Sequence, residues 1–166
     1  MDTFRVGIGF DIHRFVEGPR LVLGGIEIPH AKGLTGHSDA DVVLHAVTDA
    51  LLGAAGLPDI GELFPDTDAA YRGADSRELL RKAMTLIKES GFRPCNVDLI
   101  VHAETPKMSP YKKSMAESVA RLIDLSPDRV GIKAKTNEGF GDIGAADAIA
   151  CTAVALLVQT GSGPGS

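Results

Sequence analysis

One stretch of the chain, His37 to Asp49, constrains the fold more than any other. It reads His-Ser-Asp-Ala-Asp-Val-Val-Leu-His-Ala-Val-Thr-Asp, and apolar residues recur in it at helical spacing. This spacing predicts a helix from Asp39 onward, whose first turn Ser38 can cap. The apolar side of such a helix has to be buried, so the rest of the chain must supply a surface that covers it.

Three polar residues of this stretch, Asp41, His45 and Asp49, lie four positions apart and share one stripe of the predicted helix. A histidine with a carboxylate one turn away on each side is unusual on a face that should be apolar. Either carboxylate can orient the His45 ring from outside a metal's ligand shell. For Asp41 an equally good interpretation is a helix cap, because Ser38 and Asp41 also match a Ser-x-x-Asp capping pattern.

A second group of ligand-type residues, Asp11 and His13, ends a predicted strand that begins at Phe4. Alternate residues of a strand point to the same face about 7 Å apart, so both side chains can reach one ion. With His45 they offer one oxygen and two imidazole nitrogens. Such a set leaves a fourth position open, as in catalytic zinc sites. An Asp-x-His pair alone is weak evidence, because short motifs match by accident.

The other elements are predicted from hydrophobic periods and from capping residues. They are a strand over 21–29 paired with the first strand, a helix from Asp75 to Gly91, a strand over 96–103, a helix over 109–123, a strand over 129–136 and a helix over 146–158. The order predicts an α+β fold: a single-domain two-layer sandwich whose small mixed β-sheet has helices on one face. The domain spans 1–160, and the Gly/Ser-rich residues 161–166 are expected to form a flexible tail.

Residues 57–73 show no convincing period, although apolar side chains occur among their glycines, prolines and aspartates. Long segments of this kind inside a compact domain are usually functional, so a lid or pocket wall is expected, with a packed surface loop as the alternative.

Charge and composition narrow the class of protein. The net charge of -5 and the lack of a lysine or arginine run argue against general binding of nucleic acid or anionic membranes. No apolar run reaches the roughly 20 residues of a membrane span, and the start of the sequence has no signal-peptide form, so a cytoplasmic protein is expected. Cys95 and Cys151 are interpreted as buried free thiols.

Further polar residues stand where a phosphate-bearing ligand can be bound. Ser38 and the first backbone amides of its helix can donate hydrogen bonds to a phosphate oxygen, and Lys107 and Thr136 lie in turns at predicted strand ends. Glu138 can hold a second, hard cation such as Mg²⁺ or Mn²⁺. His102, inside a predicted strand, is interpreted as a core histidine rather than a ligand.

Five blocks carry a resemblance to a known family. They are Gly-Phe-Asp-Ile-His, the stretch from His37 to Gly53, Asp-Ile-Gly-Glu-Leu-Phe-Pro-Asp-Thr-Asp, Gly-Ala-Asp-Ser-Arg-Glu-Leu-Leu and Ala-Glu-Thr-Pro-Lys-Met. In order and spacing, from about Arg5 to Val158, they closely resemble the 2-C-methyl-D-erythritol 2,4-cyclodiphosphate synthases.

The resemblance implies roles for individual residues. Asp11, His13 and His45 match the family's zinc ligands, one ion per subunit, while His37 and Thr136 match groups that stabilise the transition state. Residues that match the substrate contacts are Ser38, Asp59, Ile60, Gly61, Phe64, Pro65, Asp66, Thr67, Asp68, Ala103, Pro106, Lys107, Met108, Ser109, Lys135, Asn137 and Glu138, the last of these at the Mg²⁺ or Mn²⁺ ion. The family is a homotrimer with sites between subunits, so the fold is expected to form trimers.

The implied reaction is a phosphorus-oxygen lyase step of the non-mevalonate isoprenoid pathway. The substrate 4-diphosphocytidyl-2-C-methyl-D-erythritol 2-phosphate is cyclised by attack of its 2-phosphate on its β-phosphate, with release of CMP. Two other hypotheses remain open from the residues alone: a metal phosphohydrolase using the same Asp-His-His set, and a trimeric metal- or nucleotide-binding module without turnover.

One stretch departs from the family pattern. After Asn137-Glu138-Gly139 the family usually has a phenylalanine and a Gly-Arg-Gly-Glu-Gly run, where this chain has Asp142 and Ala145 to Ala148. In the family the phenylalanine and arginine line a cavity on the trimer axis that can hold an isoprenoid phosphate. We therefore expect weak or no isoprenoid diphosphate binding here.

Overall fold

The computed structural model describes residues 3–65, 67–68, 71 and 73–160. The predicted tail, 161–166, and Asp66 lie outside the described residues. The elements in chain order are β1 (Phe4–Glu17), β2 (Leu21–Leu23), β3 (Ile26–Ile28), β4 (Lys32–Leu34), α1 (Val42–Ala55), α2 (Ile60–Leu63), α3 (Ser76–Glu89), β5 (Phe92–His102), α4 (Lys112–Leu122), a 3₁₀ turn (Pro127–Arg129), β6 (Val130–Lys135), α5 (Gly141–Gly144) and β7 (Ala148–Gln159). The fold is the expected mixture of helices and one mixed sheet.

The main sheet has the strand order β4-β1-β7-β5-β6. β5 and β6 run parallel, while the other neighbours are antiparallel. Parallel strands need a long crossover, and the segment containing α4 supplies it between β5 and β6. The short strands β2 and β3 pair only with each other, as a separate hairpin.

Helix α1 lies directly on β1 because two glycines of that strand leave room for it. A Cβ atom added at Gly9 would stand 2.0 Å from the backbone oxygen of Ala46, and one added at Gly7 equally close to the oxygen of Ala50. Backbones can approach this closely only where a side chain is missing. This contact brings His45 of α1 next to the end of β1.

The opposite face of β1 is apolar and exposed. Its outward side chains are 47% to 70% exposed, and they are Phe4, Val6, Ile8, Phe10 and Ile12. An exposed apolar patch of this extent commonly marks an interaction surface. Among the described residues, no helix is long and apolar enough to cross a membrane.

The prediction of a helix over 146–158 is wrong, since this segment forms β7. Alanine and leucine favour a helix, but β7 pairs along its length with β1 on one side and β5 on the other. Its small side chains, among them Ala150 and Ala153, are completely buried. Tertiary pairing here overrides intrinsic propensity, as is common for central strands.

Two boundaries also differ from the predictions. Residues 21–29 form a tight hairpin that turns at Gly24 and Gly25, whose φ angles are 62° and 76°, rather than one strand paired with β1. Helix α1 begins at Val42 with Asp41 as its cap, and not with Ser38. The helix capped by Asp75 and the strands near 96–103 and 129–136 are confirmed to within a few residues.

Candidate metal and substrate site

Asp11, His13 and His45 converge at the end of β1, as the sequence predicts. Their donor atoms all lie within 4.8 Å of one another. Asp11 Oδ2 is 2.9 Å from His13 Nε2 and 2.9 Å from His45 Nδ1, and the two nitrogens are 3.2 Å apart. All three residues are partly buried. The two β1 residues reach the cluster because they alternate on one strand, and His45 reaches it from the helix above.

The electrostatics of this cluster suit a cation. Burial alone would raise the pKa of Asp11, but hydrogen bonds to His13 and His45 outweigh it and lower that pKa. Burial would likewise lower the pKa of His13, while its bond to Asp11 raises it. One carboxylate oxygen and two imidazole nitrogens are a donor set that fits zinc and leaves a position open for a substrate.

Each imidazole of the cluster has an oxygen partner at its other nitrogen. His13 Nδ1 lies 2.9 Å from the carbonyl oxygen of Thr35. His45 Nε2 lies 2.9 Å from Ser76 Oγ and 3.0 Å from Ser38 Oγ. Such partners hold a ligand ring in one orientation. Ser76, the first residue of α3, is absent from the predicted site. The sequence indicates only that it starts a helix, in the segment Asp-Ser-Arg-Glu.

Asp41 serves as the cap of α1, so the capping interpretation is confirmed. Its carboxylate accepts hydrogen bonds from the backbone amides of Gly24, Gly25, Val43 and Leu44, at 2.6 to 3.1 Å. Burial raises the pKa of Asp41 to about 6, although these amide bonds act in the opposite direction. The carboxylate thus joins the β2–β3 turn to the helix, rather than bonding to the ring of His45.

Asp49 connects α1 to the short helix α2. Its carboxylate accepts a hydrogen bond from the amide of Ile60 at 2.8 Å, and burial raises its pKa. Asp59 caps α2 by accepting from the amide of Glu62 at 2.9 Å. These two aspartates therefore fix the segment that was predicted to form a lid or pocket wall.

The cluster opens into a cavity of about 150 Å³, the metal pocket. Its lining joins the metal cluster to the predicted phosphate and substrate residues: His13, His37, Ser38, His45, Ile60, Gly61, Phe64, Tyr71 and Leu79. The interpretation of 57–73 as a pocket wall is confirmed for Ile60, Gly61 and Phe64. Tyr71 belongs to the predicted wall segment but, like Leu79, is not named individually in the sequence prediction. It packs edge-on against Phe64 with ring centroids 5.4 Å apart.

A second cavity of about 170 Å³, the strand-end pocket, lies where β5 and β6 end. It contains most of the predicted nucleotide residues, and its lining is Ala103, Glu104, Pro106, Lys107, Met108, Ser109, Ala134, Lys135 and Thr136. Parallel neighbours place these ends at one edge of the sheet, a common ligand position. Glu104, which has no individual role in the sequence prediction, accepts hydrogen bonds from the amides of Asn137 and Gly139 at 2.8 and 3.3 Å.

Some predicted residues lie outside the linings of the two pockets. Thr136 Oγ1 donates to Glu138 Oε1 at 2.6 Å, so the predicted second cation residue stands at the rim of the strand-end pocket. The described residues Pro65 and Asp68 are joined by a backbone bond of 3.0 Å beyond the metal-pocket wall. His102 bonds to Thr152 at 3.2 Å, as a partly buried core histidine would.

Both thiols are free; Cys151 is buried, as predicted, while Cys95 is only partly buried. Asp142 lies exposed in the short helix α5. Among the described residues, the two pockets have no lining residue in common.

A protein-family model and curated relatives both match this chain over almost its whole length. The model of the YgbB family matches residues 4–158. Curated proteins named 2-C-methyl-D-erythritol 2,4-cyclodiphosphate synthase are similar: that of Dechloromonas aromatica is 56% identical over 96% of this chain and 99% of its own length, and that of Bordetella petrii is 56% identical over 94% and 96%.

Solved structures agree with the sequence relatives. A structure described as the synthase in its CDP-bound form has a TM-score of 0.85 and 44% identity, covering 92% of this chain and 99% of that chain. IspF of Plasmodium falciparum in a CDP complex has a TM-score of 0.83 and 34% identity, covering 95% and 97%.

Proposed function

Since the chain belongs to the YgbB family, we propose that it acts as a 2-C-methyl-D-erythritol 2,4-cyclodiphosphate synthase. The substrate is 4-diphosphocytidyl-2-C-methyl-D-erythritol 2-phosphate, and the enzyme is a phosphorus-oxygen lyase of the non-mevalonate pathway. The observation that carries this proposal is the opening of the Asp11, His13 and His45 cluster into the pocket that His37 and Ser38 also line.

The chemistry follows from position and charge. An oxygen of the 2-phosphate attacks the β-phosphorus, and the bond from that phosphorus to the CMP oxygen breaks. Asp11, His13 and His45 would hold the zinc ion, which would supply positive charge for a phosphoryl oxygen. His37 and Ser38 bind the diphosphate in the metal pocket, and the wall formed by Ile60, Gly61 and Phe64 holds the methylerythritol part. A folded substrate makes the attack intramolecular, which can supply on the order of 7 kcal/mol or more.

The strand-end pocket is proposed to bind the cytidine and its phosphates. Lys107 offers a cation, while Ala103, Pro106, Met108 and Ser109 supply the walls and backbone groups of a base pocket. Lys135, Thr136 and Asn137 surround the phosphates, with Thr136 stabilising the transition state. Glu138 holds the proposed Mg²⁺ or Mn²⁺, since a carboxylate is a preferred ligand of both ions. Two related structures are described as CDP complexes, which supports a cytidine nucleotide as part of the ligand.

A homotrimer is proposed to bring the two pockets together. The pockets have separate linings among the described residues, although one substrate has to occupy both. The exposed apolar face of β1 offers a surface that a neighbouring subunit can cover.

Four further statements stay predictions. They are a cytoplasmic location, the domain bounds 1–160, substrate contacts by Asp59 and residues 65–68, and weak isoprenoid binding because of Asp142 and Ala145.

One incubation tests the function. The zinc-loaded protein is given the cytidine substrate and Mg²⁺, and the products are followed by ³¹P NMR. Appearance of CMP with the cyclic diphosphate supports the proposal. Release of inorganic phosphate would instead favour a phosphohydrolase, and substrate binding without turnover in fully loaded protein would favour a binding module. Light scattering of the same sample measures the oligomeric state.

A further inference from the structure

The two histidines of the metal cluster differ in how their protonation is fixed. His13 Nδ1 faces the carbonyl oxygen of Thr35, and a carbonyl can only accept, so Nδ1 carries a proton and Nε2 is the nitrogen that would bind a metal. His45 has the reverse arrangement, with Nδ1 in the cluster and Nε2 facing serine hydroxyls. A hydroxyl can donate or accept, so a serine alone does not determine which nitrogen of His45 carries the proton.

A carboxylate behind the serine removes this ambiguity. The hydroxyl of Ser76 bonds to Asp39 Oδ1, and the amide of Ser76 donates to Asp39 Oδ2 at 3.2 Å. An ionised carboxylate only accepts, so the Ser76 hydroxyl donates its proton to Asp39 and turns a lone pair toward His45. Nε2 of His45 therefore carries a proton, whether or not Nδ1 also does, and Nδ1, on the Asp11 side, is the nitrogen that would bind a metal.

The surroundings hold this chain of bonds in place. Ser76 is only 1% exposed, and the amide of Asp39 donates to the carbonyl oxygen of Ala74 at 3.1 Å. Asp39 and Ser76 are 37 residues apart, so the bonds also join the segment before α1 to the start of α3.

Ser38 competes for the same ring nitrogen. Its Oγ lies 3.0 Å from His45 Nε2 and 3.3 Å from Ser76 Oγ. Ser38 lines the metal pocket, where a phosphate would need a hydroxyl donor. If Ser76 accepts the ring proton, the hydroxyl proton of Ser38 can point to that phosphate.

We propose that Ser76 and Asp39 are positioning residues that hold His45 as the Nε2-protonated tautomer and leave Ser38 free to donate to the substrate. The inference rests on the proposed function, because it takes the cluster to bind zinc. Outer partners of metal-bound histidines affect metal affinity by about 10- to 100-fold.

The first measurement is zinc affinity by competition with a chelating dye, without substrate. We expect Ser76→Ala and Asp39→Asn each to weaken zinc binding at least about tenfold. Asp39→Asn keeps the size of the side chain but removes the charge that strengthens the bond from Ser76. The double variant should bind zinc no more weakly than the weaker single variant, because both residues act through one chain of bonds.

Two controls separate this role from others. Ser118→Ala makes the same change at another buried serine, on α4, and should leave zinc affinity unchanged. Ser38→Ala should leave zinc affinity at the control value and lower kcat/KM. Thermal unfolding of the zinc-free variants shows whether each one is folded before zinc is added.

The second measurement is histidine ¹H–¹⁵N NMR of the zinc-loaded protein. We expect a slowly exchanging Nε2 proton for His45 in the unmodified chain, and rapid exchange of that proton in Ser76→Ala. A purely structural role would change the unfolding temperature but not this signal. Ser76→Thr, which keeps the hydroxyl, should restore the slow exchange.

The possible results are distinct. Absence of zinc binding by the unmodified chain would overturn the proposed function and this inference with it. Normal zinc binding by the unmodified chain, Ser76→Ala and Asp39→Asn alike would overturn this inference alone. Weak binding by Ser38→Ala together with normal binding by Ser76→Ala would assign the ring proton to Ser38 instead.

Discussion

The metal pocket and the strand-end pocket are built in different ways. In the metal pocket, side chains from β1, α1 and α3 bond to one another, and the metal-binding atoms of Asp11, His13 and His45 lie 2.9 to 3.2 Å apart. In the strand-end pocket, a side chain bonds to the backbone instead: the Glu104 carboxylate accepts hydrogen bonds from two amides of the 137–139 turn.

Because of this difference, the two pockets suit different tasks. Preorganised side chains suit the pocket where charge must be stabilised in the transition state. A pocket whose shape is set by the backbone suits nucleotide recognition, which needs a complementary shape and a few polar groups. If the tasks are divided in this way, substitutions in one pocket should affect metal and turnover, and substitutions in the other should affect nucleotide affinity.

The largest effect is expected for His45→Ala, which removes one of three metal ligands. We expect zinc content to fall to background and kcat/KM to fall by about 1,000-fold or more, as for loss of a main electrostatic stabiliser. CMP affinity, measured by calorimetry, should stay unchanged. His30→Ala, a histidine bonded to the carbonyl of Lys32, is the matched control and should keep zinc and activity. Loss of CMP binding in His45→Ala would show that the two pockets are not independent.

The next effect is on stability and concerns the frame of the metal pocket. Asp41→Ala leaves four backbone amides without their acceptor, two in the β2–β3 turn and two in the first turn of α1. We expect a loss of about 3 kcal/mol in the free energy of unfolding, from the lost cap and the buried amides left unpaired. Urea unfolding of the zinc-free protein measures it. A loss no larger than that of an exposed cap would show that the turn is not tied to the helix.

A smaller and more selective effect is expected for Glu104→Ala in the strand-end pocket. Loss of two charge-assisted bonds to the 137–139 turn should weaken CMP binding about tenfold, since such bonds contribute about 1.5 to 3 kcal/mol each and water replaces part of this. Zinc affinity should be unchanged. Glu104→Gln keeps an acceptor oxygen and should recover most of the affinity. Equal losses of CMP affinity in both variants would mean that the charge of Glu104, rather than its hold on the shape of the turn, determines binding.

The same difference explains what the sequence could predict. Asp11, His13 and His45 are predictable because their side chains carry the chemistry and because strand and helix periods place them on defined faces. Ser76, Asp39 and Glu104 act through partners more than 30 residues away, and no local period encodes such a contact. The strand-end residues other than Lys107, Thr136 and Glu138 are predicted only through the family resemblance.

The fold was predictable to the same extent. Helix α3 has its cap and apolar face within one short segment, and both its type and its start were predicted correctly. β7 has a composition that favours a helix, and its strand state depends on β1 and β5, which pair with it from distant parts of the chain. Local signals therefore identified the elements whose stability is local, and failed at the strand in the middle of the sheet.

The smallest expected effect tests whether the start of α3 is held mainly by the metal pocket or by its own cap. Asp75 accepts from the amide of Arg77 at 2.9 Å and is partly exposed, unlike the buried cap at Asp41. Asp75→Ala should therefore cost about 1 kcal/mol of unfolding free energy at pH 7, a typical value for a single cap.

The pH dependence of that loss has a defined sign. Hydrogen bonds from the Arg77 side chain lower the pKa of Asp75 below its usual value of 3.8. A carboxyl whose pKa is lower in the folded state stabilises the fold above the unfolded pKa and stops doing so as pH falls through the folded one. The difference between the unmodified chain and Asp75→Ala, measured by urea unfolding, should thus be constant above about pH 5 and shrink below pH 4. Glu89→Ala removes a carboxylate at the other end of the same helix and is the control for the loss of one charge. A difference that persists unchanged at pH 3 would mean that the charge of Asp75 is not what stabilises α3. No loss at pH 7 would mean that Ser76 and the metal pocket, and not the cap, hold the start of α3.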